Sequence, residues 1–226
     1  MKIIKPYIEV LSEIDTSKIM KNIEACGRVC YKSETNATFE SADIFVRNII
    51  KRGHESVLEH EKLTVRFVCD RGVSHEIVRH RLASFSQEST RYCNYSNDKF
   101  GNELTFIRPC FWRDSDLDLS GNGHGFDPVR FNDPQYIVWR RSIQNAENDY
   151  NTLVALGAKP EEARSVLPNS LKTEIIVTMN MRELRHFLKL RTAKAAHPQM
   201  REVANMLLEY VKEKLPVLFE DIGEKV

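Results

Sequence analysis

Two stretches of strict alternation constrain this chain more than anything else in it. Leu63, Val65, Phe67 and Cys69 interleave with Lys62, Thr64 and Arg66, and Leu171, Thr173, Ile175, Val177 and Met179 interleave with Lys172, Glu174 and Thr178. A period of two sends one side of each stretch into a core and the other away from it, which is the pattern of a half-buried strand. Little else reads as strand. Ile3 to Val10 is extended, but Pro6 demotes it to an edge position or a strand start.

Elsewhere the apolar periodicity is helical. Ile19, Ile23, Cys26 and Cys30 form one stripe, and Phe45, Val46, Ile49 and Ile50 form a second that Gly53 stops. Asn132 or Asp133 followed by Pro134 opens a long helix with Ile143, Ala146, Tyr150, Leu153 and Val154 on its buried face. Val203, Met206, Leu207, Tyr210 and Val211 mark the last one. Few strands among many helices predict an α+β fold, a small sheet flanked by several helices, as a single domain over residues 1–226. The Asp-, Gly- and Asn-rich stretch near 113–130 reads as a flexible insertion. No Gly-x-Gly-x-x-Gly occurs, so no Rossmann turn is expected.

Between the two strands the sequence concentrates its chemistry. After Asp70-Arg71-Gly72 turns the chain, Val73, Ile77 and Val78 give a short helix with Glu76, Arg79 and His80 on its polar side. It runs into Arg79-His80-Arg81-Leu82-Ala83-Ser84-Phe85-Ser86-Gln87-Glu88-Ser89-Thr90-Arg91, expected to be a loop. Three arginines, three serines and a histidine in so short a span describe a socket for anions, with Leu82 and Phe85 as apolar anchors. That socket must be local, because 33 basic side chains against 32 acidic ones leave a net charge of +1. No global field recruits nucleic acid or a membrane surface.

Two further elements carry arginines. Pro160 opens a short helical segment with Arg164 near its end, closed by Pro168. Asn180 ends the second strand, and Asn180-x-x-Glu183 matches a capping box, which by itself explains Asn180. In the helix beyond, Leu184, Phe187, Leu188 and Arg191 share a stripe, while Arg182 and His186 share another face.

Several tempting readings fail on spacing. His54 and His60 lie six apart rather than four, so His54-Glu55-Ser56-Val57-Leu58-Glu59-His60 does not make a zinc helix. Asp114, Asp116 and Asp118 resemble a calcium loop, but Leu119 and Gly125 stand where Gly and Glu are needed. No metal is expected. Five cysteines, Cys26, Cys30, Cys69, Cys93 and Cys110, form no CxxC and read as free thiols, with Cys26 and Cys30 as small buried hydrophobes. No apolar run reaches the roughly 20 residues of a membrane span and no signal-peptide h-region is present, so a cytoplasmic location is expected.

The pattern Arg-His-Arg-x-x-Ser-x-x-x-x-Ser-x-Arg, filled here at every fixed position, resembles the signature of the flavin-dependent thymidylate synthases. Glu161 to Pro168 and Asn180 to Arg191 resemble that family's C-terminal blocks. The resemblance implies the family's own fold and a homotetramer with active sites at subunit interfaces. It implies FAD against Ser56, Arg79, His80, Arg81, Gln87, Asn180, Arg182 and His186, with His54 a further candidate. Deoxyuridylate (dUMP) would meet Glu76, Arg79, Gln87, Glu88, Ser89, Thr90, Arg91, Arg164 and Arg191, with Arg191 at the uracil edge favouring ring ionisation. The implied reaction takes a one-carbon unit from 5,10-methylenetetrahydrofolate, with reduced flavin as hydride donor and NADPH regenerating it.

Two departures stand out. Glu76 replaces an expected Gln, and its charge beside an anionic substrate needs an arginine neighbour. Ser86 replaces an expected Asn. Two rivals remain in view. Pro109-Cys110 resembles the nucleophile dipeptide of the classical folate-dependent thymidylate methyltransferases, and the arginine motif alone suits a phosphate- or nucleic-acid-binding module.

Overall fold

The structure is a computed structural model, and it describes residues 1–38, 40–97, 101, 103–111 and 133–223. The expected insertion near 113–130 lies outside the described residues. In chain order the elements are β1 (Lys2–Ile4), β2 (Tyr7–Val10), α1 (Thr16–Val29), α2 (Ser41–Lys51), β3 (Lys62–Asp70), α3 (Arg71–Ile77), β4 (Ala83–Gln87), β5 (Thr105–Ile107), α4 (Pro134–Ala155), α5 (Pro160–Ala163), β6 (Lys172–Asn180), α6 (Met181–Arg191), α7 (Pro198–Lys214) and α8 (Pro216–Phe219). Contacts divide them between two compact units. One comprises residues 1–6, 69–74 and 88–173, the other 7–68, 75–87 and 174–226.

The second unit holds the four-stranded sheet, in the order β2-β3-β6-β4. The two strands foreseen from alternation are its centre. Each keeps one side in the core: Leu63, Val65 and Phe67 from β3, and Ile175, Val177 and Met179 from β6, are almost fully buried. On the other side Thr64 and Thr178 hydroxyls meet at 2.9 Å, a cross-strand pair of the kind that fixes register. β2 is an edge, paired antiparallel to β3 with Tyr7 opposite Val68. Pro6 separates it from β1, which pairs with β5 in the first unit.

The fourth strand was not foreseen. Ala83–Gln87, expected as part of a loop, pairs antiparallel with β6, Phe85 opposite Val177. Strand formation here follows from an available partner edge, which overrides weak intrinsic preference.

Helices cover this sheet and one another: α1 packs on α2, α6 on α7 and on the 3₁₀ turn Glu55–His60, and α7 on β2. The buried side of α1 runs through Ile19, Met20, Ile23 and Gly27. Cys26 is half-buried and Cys30 exposed, so they are not the buried hydrophobes expected. Gly27 is on the face that meets α2, where a Cβ would come within 2.6 Å of the Phe45 ring.

The first unit is built on α4. Asp133 caps it, accepting from the Gln135 amide, and Pro134 opens it. Ile143 and Tyr150 pack with Tyr95, Leu104, Phe106, Ala163 and Leu171 as its core.

The two central strands pass into helices in the same way, with no intervening turn. Asp70 Oδ1 accepts the Val73 amide at 2.8 Å, so the expected turn at 70–72 is instead a helix cap. Asn180 Oδ1 accepts the Glu183 amide at 2.9 Å. Half of the expected capping box therefore forms. The other half does not, because the Glu183 carboxylate has a different partner.

Candidate active site

That partner is His80. Glu183 Oε1 lies 3.0 Å from His80 Nδ1, with both side chains buried. On the far side of the ring, Arg191 Nε donates to His80 Nε2 at 3.0 Å. Arg191 Nη1 donates to Glu76 Oε2 at 2.9 Å, and Nη2 to the Glu76 carbonyl at 3.1 Å. Glu183, His80, Arg191 and Glu76 are thus one continuous chain of contacts within the second unit. The arginine neighbour that Glu76 requires is Arg191.

The ring itself is held by packing. Phe187 lies edge-on to His80 at 4.9 Å between centroids and His186 at 5.8 Å, while Phe67 packs on Phe187 at 6.0 Å. Burial lowers the His80 pKa below the ordinary value of 6.5. Glu183 opposes that shift, and the Arg191 and His186 charges add to it. A neutral ring is the result.

Beside this chain lies a cleft of about 490 Å3, lined by Glu55, Glu59, Leu82, Asn180, Arg182, Glu183, His186 and Lys189. Three of the residues nominated for flavin, Asn180, Arg182 and His186, are there. Ser56, exposed in the 3₁₀ turn, is flanked by the lining residues but is not among them. Arg79 and Arg81 are exposed on either side of His80, and Gln87 is half-buried at the end of β4. Arg182 donates to Glu59 Oε1 at 2.6 Å and Lys189 lies 3.8 Å from Glu55, so a pyrophosphate would draw these two cations from carboxylates that line the same cleft, while Leu82, 73% exposed, supplies an apolar surface for a planar ring. Released from those pairs, the donor set fits a flavin nucleotide. A larger, more open depression of about 670 Å3, lined by Asp15, Ser17, Lys18, Lys21, Asn22 and Glu61, contains none of the nominated residues.

His80, Glu183 and His186 could also hold a metal ion, their ligand atoms lying within 4.8 Å of one another. Chemistry weighs against that use. An ion on His80 Nδ1 would force the ring proton onto Nε2, against the N–H of Arg191.

His54, exposed, precedes the 3₁₀ turn in the second unit and is not among the cleft's lining residues, and the remaining residues nominated for dUMP are in the first unit. Arg164, carried by the 3₁₀ turn Arg164–Val166 after α5, reaches Thr90 Oγ1 at 3.4 Å. The Ser89 hydroxyl accepts the Arg91 amide at 3.3 Å. The Arg91 guanidinium lies 3.7 Å from Glu161 and 5.4 Å from the centre of the exposed Tyr92 ring. Guanidinium groups and hydroxyls are donors of the type that phosphate oxygens accept from. Glu88 is different, because its carboxylate is already engaged. Tyr95 Oη donates to Oε1 at 3.0 Å, and Lys172 Nζ forms an ion pair with Oε2 at 3.0 Å that lacks hydrogen-bond alignment. Burial first, then the Glu88 charge, pushes the Tyr95 hydroxyl pKa far up, so it stays a donor.

Sequence reasoning missed two residues of this region. Glu183 was assigned only to a cap. Arg185, fully buried on α6, contacts the Leu218 carbonyl and both oxygens of Asp221 at 2.8 Å, with Glu55 at 3.3 Å. Its signal was present: Met181, Arg185 and Leu188 fall at i, i+4 and i+7, on the apolar face.

A small sheet under helices, with arginine and histidine converging beside a charged, polar cleft and no dinucleotide-binding glycine turn, defines an α+β protein with a polar candidate site. A profile of the family described as thymidylate synthase complementing protein matches residues 13–217. A flavin-dependent thymidylate synthase from Geobacter sulfurreducens is 34% identical over 208 residues, covering 89% of this chain and 81% of that one. One from Thermococcus onnurineus is 34% identical over 177 residues, covering 77% of this chain and 64% of its own length. Among solved structures, a UMP/dUMP methylase, PolB from Streptomyces cacaoi bound with 5-Br dUMP, superposes with a TM-score of 0.74 at 26% identity, over 97% of this chain and 96% of that one. The chain belongs to the flavin-dependent thymidylate synthase family.

Proposed function

We propose that this chain methylates the uracil ring of dUMP to give thymidylate, with a flavin as its redox cofactor. One observation carries the reading. A cleft lined by Asn180, Arg182 and His186 adjoins, through Glu183, the His80–Arg191–Glu76 chain of contacts.

The roles we assign follow from what each side chain can do. Arg182 and Lys189 hold the flavin pyrophosphate, with Asn180, His186, Arg79, His80, Arg81, Gln87 and Ser56 completing the contacts the family pattern implies. A bound flavin supplies hydride, which no side chain of this protein can. Arg164, Thr90, Ser89 and Arg91 take the nucleotide phosphate. Arg191 faces the uracil. Three of its five N–H donors are spent on Glu76 and His80, which fixes its direction and leaves two for a ligand. A cation fixed in advance stabilises negative charge developing on the ring without reorganising at that moment. Glu88 supports this set from within the fold rather than through its carboxylate, which Tyr95 and Lys172 occupy.

Turning uracil into thymine adds one carbon at the oxidation level of methyl. We assign 5,10-methylenetetrahydrofolate as donor on the family resemblance; its carbon is at the methylene level, so two electrons must also enter, and the same resemblance assigns them to NADPH through the flavin. The same resemblance supports a homotetramer with sites at subunit interfaces, and the exposed Ile137 and Val138 of α4 and Leu156 beyond it are apolar surface such contacts could cover. Among the described residues no helix is long and apolar enough to cross a membrane, and we take the cytoplasm as the location. We also take residues 1–226 as one domain, since each compact unit is assembled from three separate stretches of chain and neither is continuous.

The test is a visible spectrum of the purified protein, then anaerobic addition of NADPH with and without dUMP, then methylenetetrahydrofolate. A flavin band that bleaches, at a rate dUMP alters, followed by thymidylate formation is the expected result. Failure to bind FAD even in excess would overturn the reading.

A further inference from the structure

Arg191 never gives up a proton in a protein, so its Nε–H must donate in the 3.0 Å contact and His80 Nε2 must accept. The one proton of a neutral imidazole is then on Nδ1, where the partner is Glu183 Oε1 at 3.0 Å. The reverse tautomer would set two N–H groups against each other across the Arg191 contact, and the guanidinium would have to swing away.

Glu183 is placed for this role by more than proximity. Its amide is fixed by the Asn180 cap, and its carboxylate by-passes the usual return to the cap backbone to reach a residue 103 positions earlier in the chain. Phe187, on the same helix, holds the ring edge-on, so the imidazole can neither flip nor withdraw without losing that packing. The Asn180 cap and the Arg191 end of α6 are thereby joined through one buried histidine.

We propose that Glu183 is a positioning residue: by accepting the Nδ1 proton of His80 it imposes the tautomer whose Nε2 receives Arg191 Nε–H, and so aims the Arg191 guanidinium. The geometric part stands on the contacts alone. The statement that this aim serves turnover rests on the proposed dUMP methylation.

The experiment starts from protein labelled with 15N in histidine and arginine, read by NMR at pH 7.5 without substrate. The expected His80 signals are those of a protonated Nδ1 and an unprotonated Nε2, with Arg191 Nε–H shifted by its hydrogen bond. An Nε2–H tautomer or an imidazolium in the unmodified protein would overturn the proposal, whatever any variant does. Glu183→Leu, reconstituted with saturating FAD, should lose the tautomer preference and the Arg191 shift. Its kcat should fall about 100-fold, the size expected of a misaligned catalytic group, with KM for dUMP changed far less. Glu183→Gln keeps an acceptor oxygen and should recover most of that loss. Equal impairment in both variants, or a Leu variant with unaltered tautomer and kcat, would sink the idea. An unmodified protein that shows the expected tautomer but forms no thymidylate would instead count against the proposed function.

Discussion

Replacing Asp221 by Ala should be among the most damaging single changes at the surface of this protein. Asp221 is 44% exposed at its side chain, which ordinarily marks a residue of little consequence. Its partner makes the difference. Arg185 is buried to 0% exposure on α6 and makes two 2.8 Å contacts to the Asp221 carboxylate. Removing one member of a buried pair costs about 3–5 kcal/mol, because the surviving charge stays desolvated. Two features reduce that here. The Leu218 carbonyl and Glu55 still contact the guanidinium, and water reaches the vacated side. About 2–3 kcal/mol is the resulting expectation, or a melting temperature lower by roughly 5–10 °C in a chain of this size. Urea and thermal unfolding at pH 7.5 under saturating FAD measure it, with Asp221→Asn, which retains one acceptor oxygen, falling in between. A loss below about 0.5 kcal/mol would refute the reasoning and reduce the contact to an ordinary surface pair.

Arg191→Ala should keep the flavin spectrum but lower kcat by at least about 100-fold, as removal of a preorganised charge donor does; near-normal turnover would remove Arg191 from the mechanism. Arg164→Ala should raise KM for dUMP roughly 10- to 100-fold, the worth of one charge-assisted contact, and leave FAD affinity alone, which flavin titration checks. His80 titrates below 6.5 in the folded chain and near 6.5 when unfolded, so the unfolded state binds more protons as pH falls through that value. Stability should therefore be fully present above pH 6.5 and decline below it. Burial pushes the Asp221 pKa up but the Arg185 hydrogen bond and charge hold it below 3.8, which adds a second loss under that pH. In His80→Gln, urea unfolding between pH 7 and 5.5 should lose the first decline, and unfolding below pH 3.8 should keep the second; an unchanged slope in the upper window would exclude His80 as its source.

The chain's local patterns were enough to determine its α+β class, its two central strands and most of its helices. Alternation at Leu63–Cys69 and Leu171–Met179 reports on one side of one segment, which is information a sequence carries directly. The caps are local in the same sense: Asp133 and Asn180 act on amides two and three residues away. Resemblance at Arg79–Arg91 named the family. What a segment meets across the chain is another matter. Ala83–Gln87 became a strand only because the edge of β6 was open to it. Glu183 left its local partner for His80, and Arg191 found His80 across 111 residues. Arg185 was buried because its charge could be matched by Asp221 and Leu218, both over thirty residues downstream. The same motif was divided after Gln87 between two compact units, a boundary its unbroken spacing does not mark. Periodicity and capping are set by neighbours in sequence. Ion-pair and hydrogen-bond partners are set by whichever groups the packed core brings within reach, so only the tertiary structure decided which charged side chains hold the candidate site together.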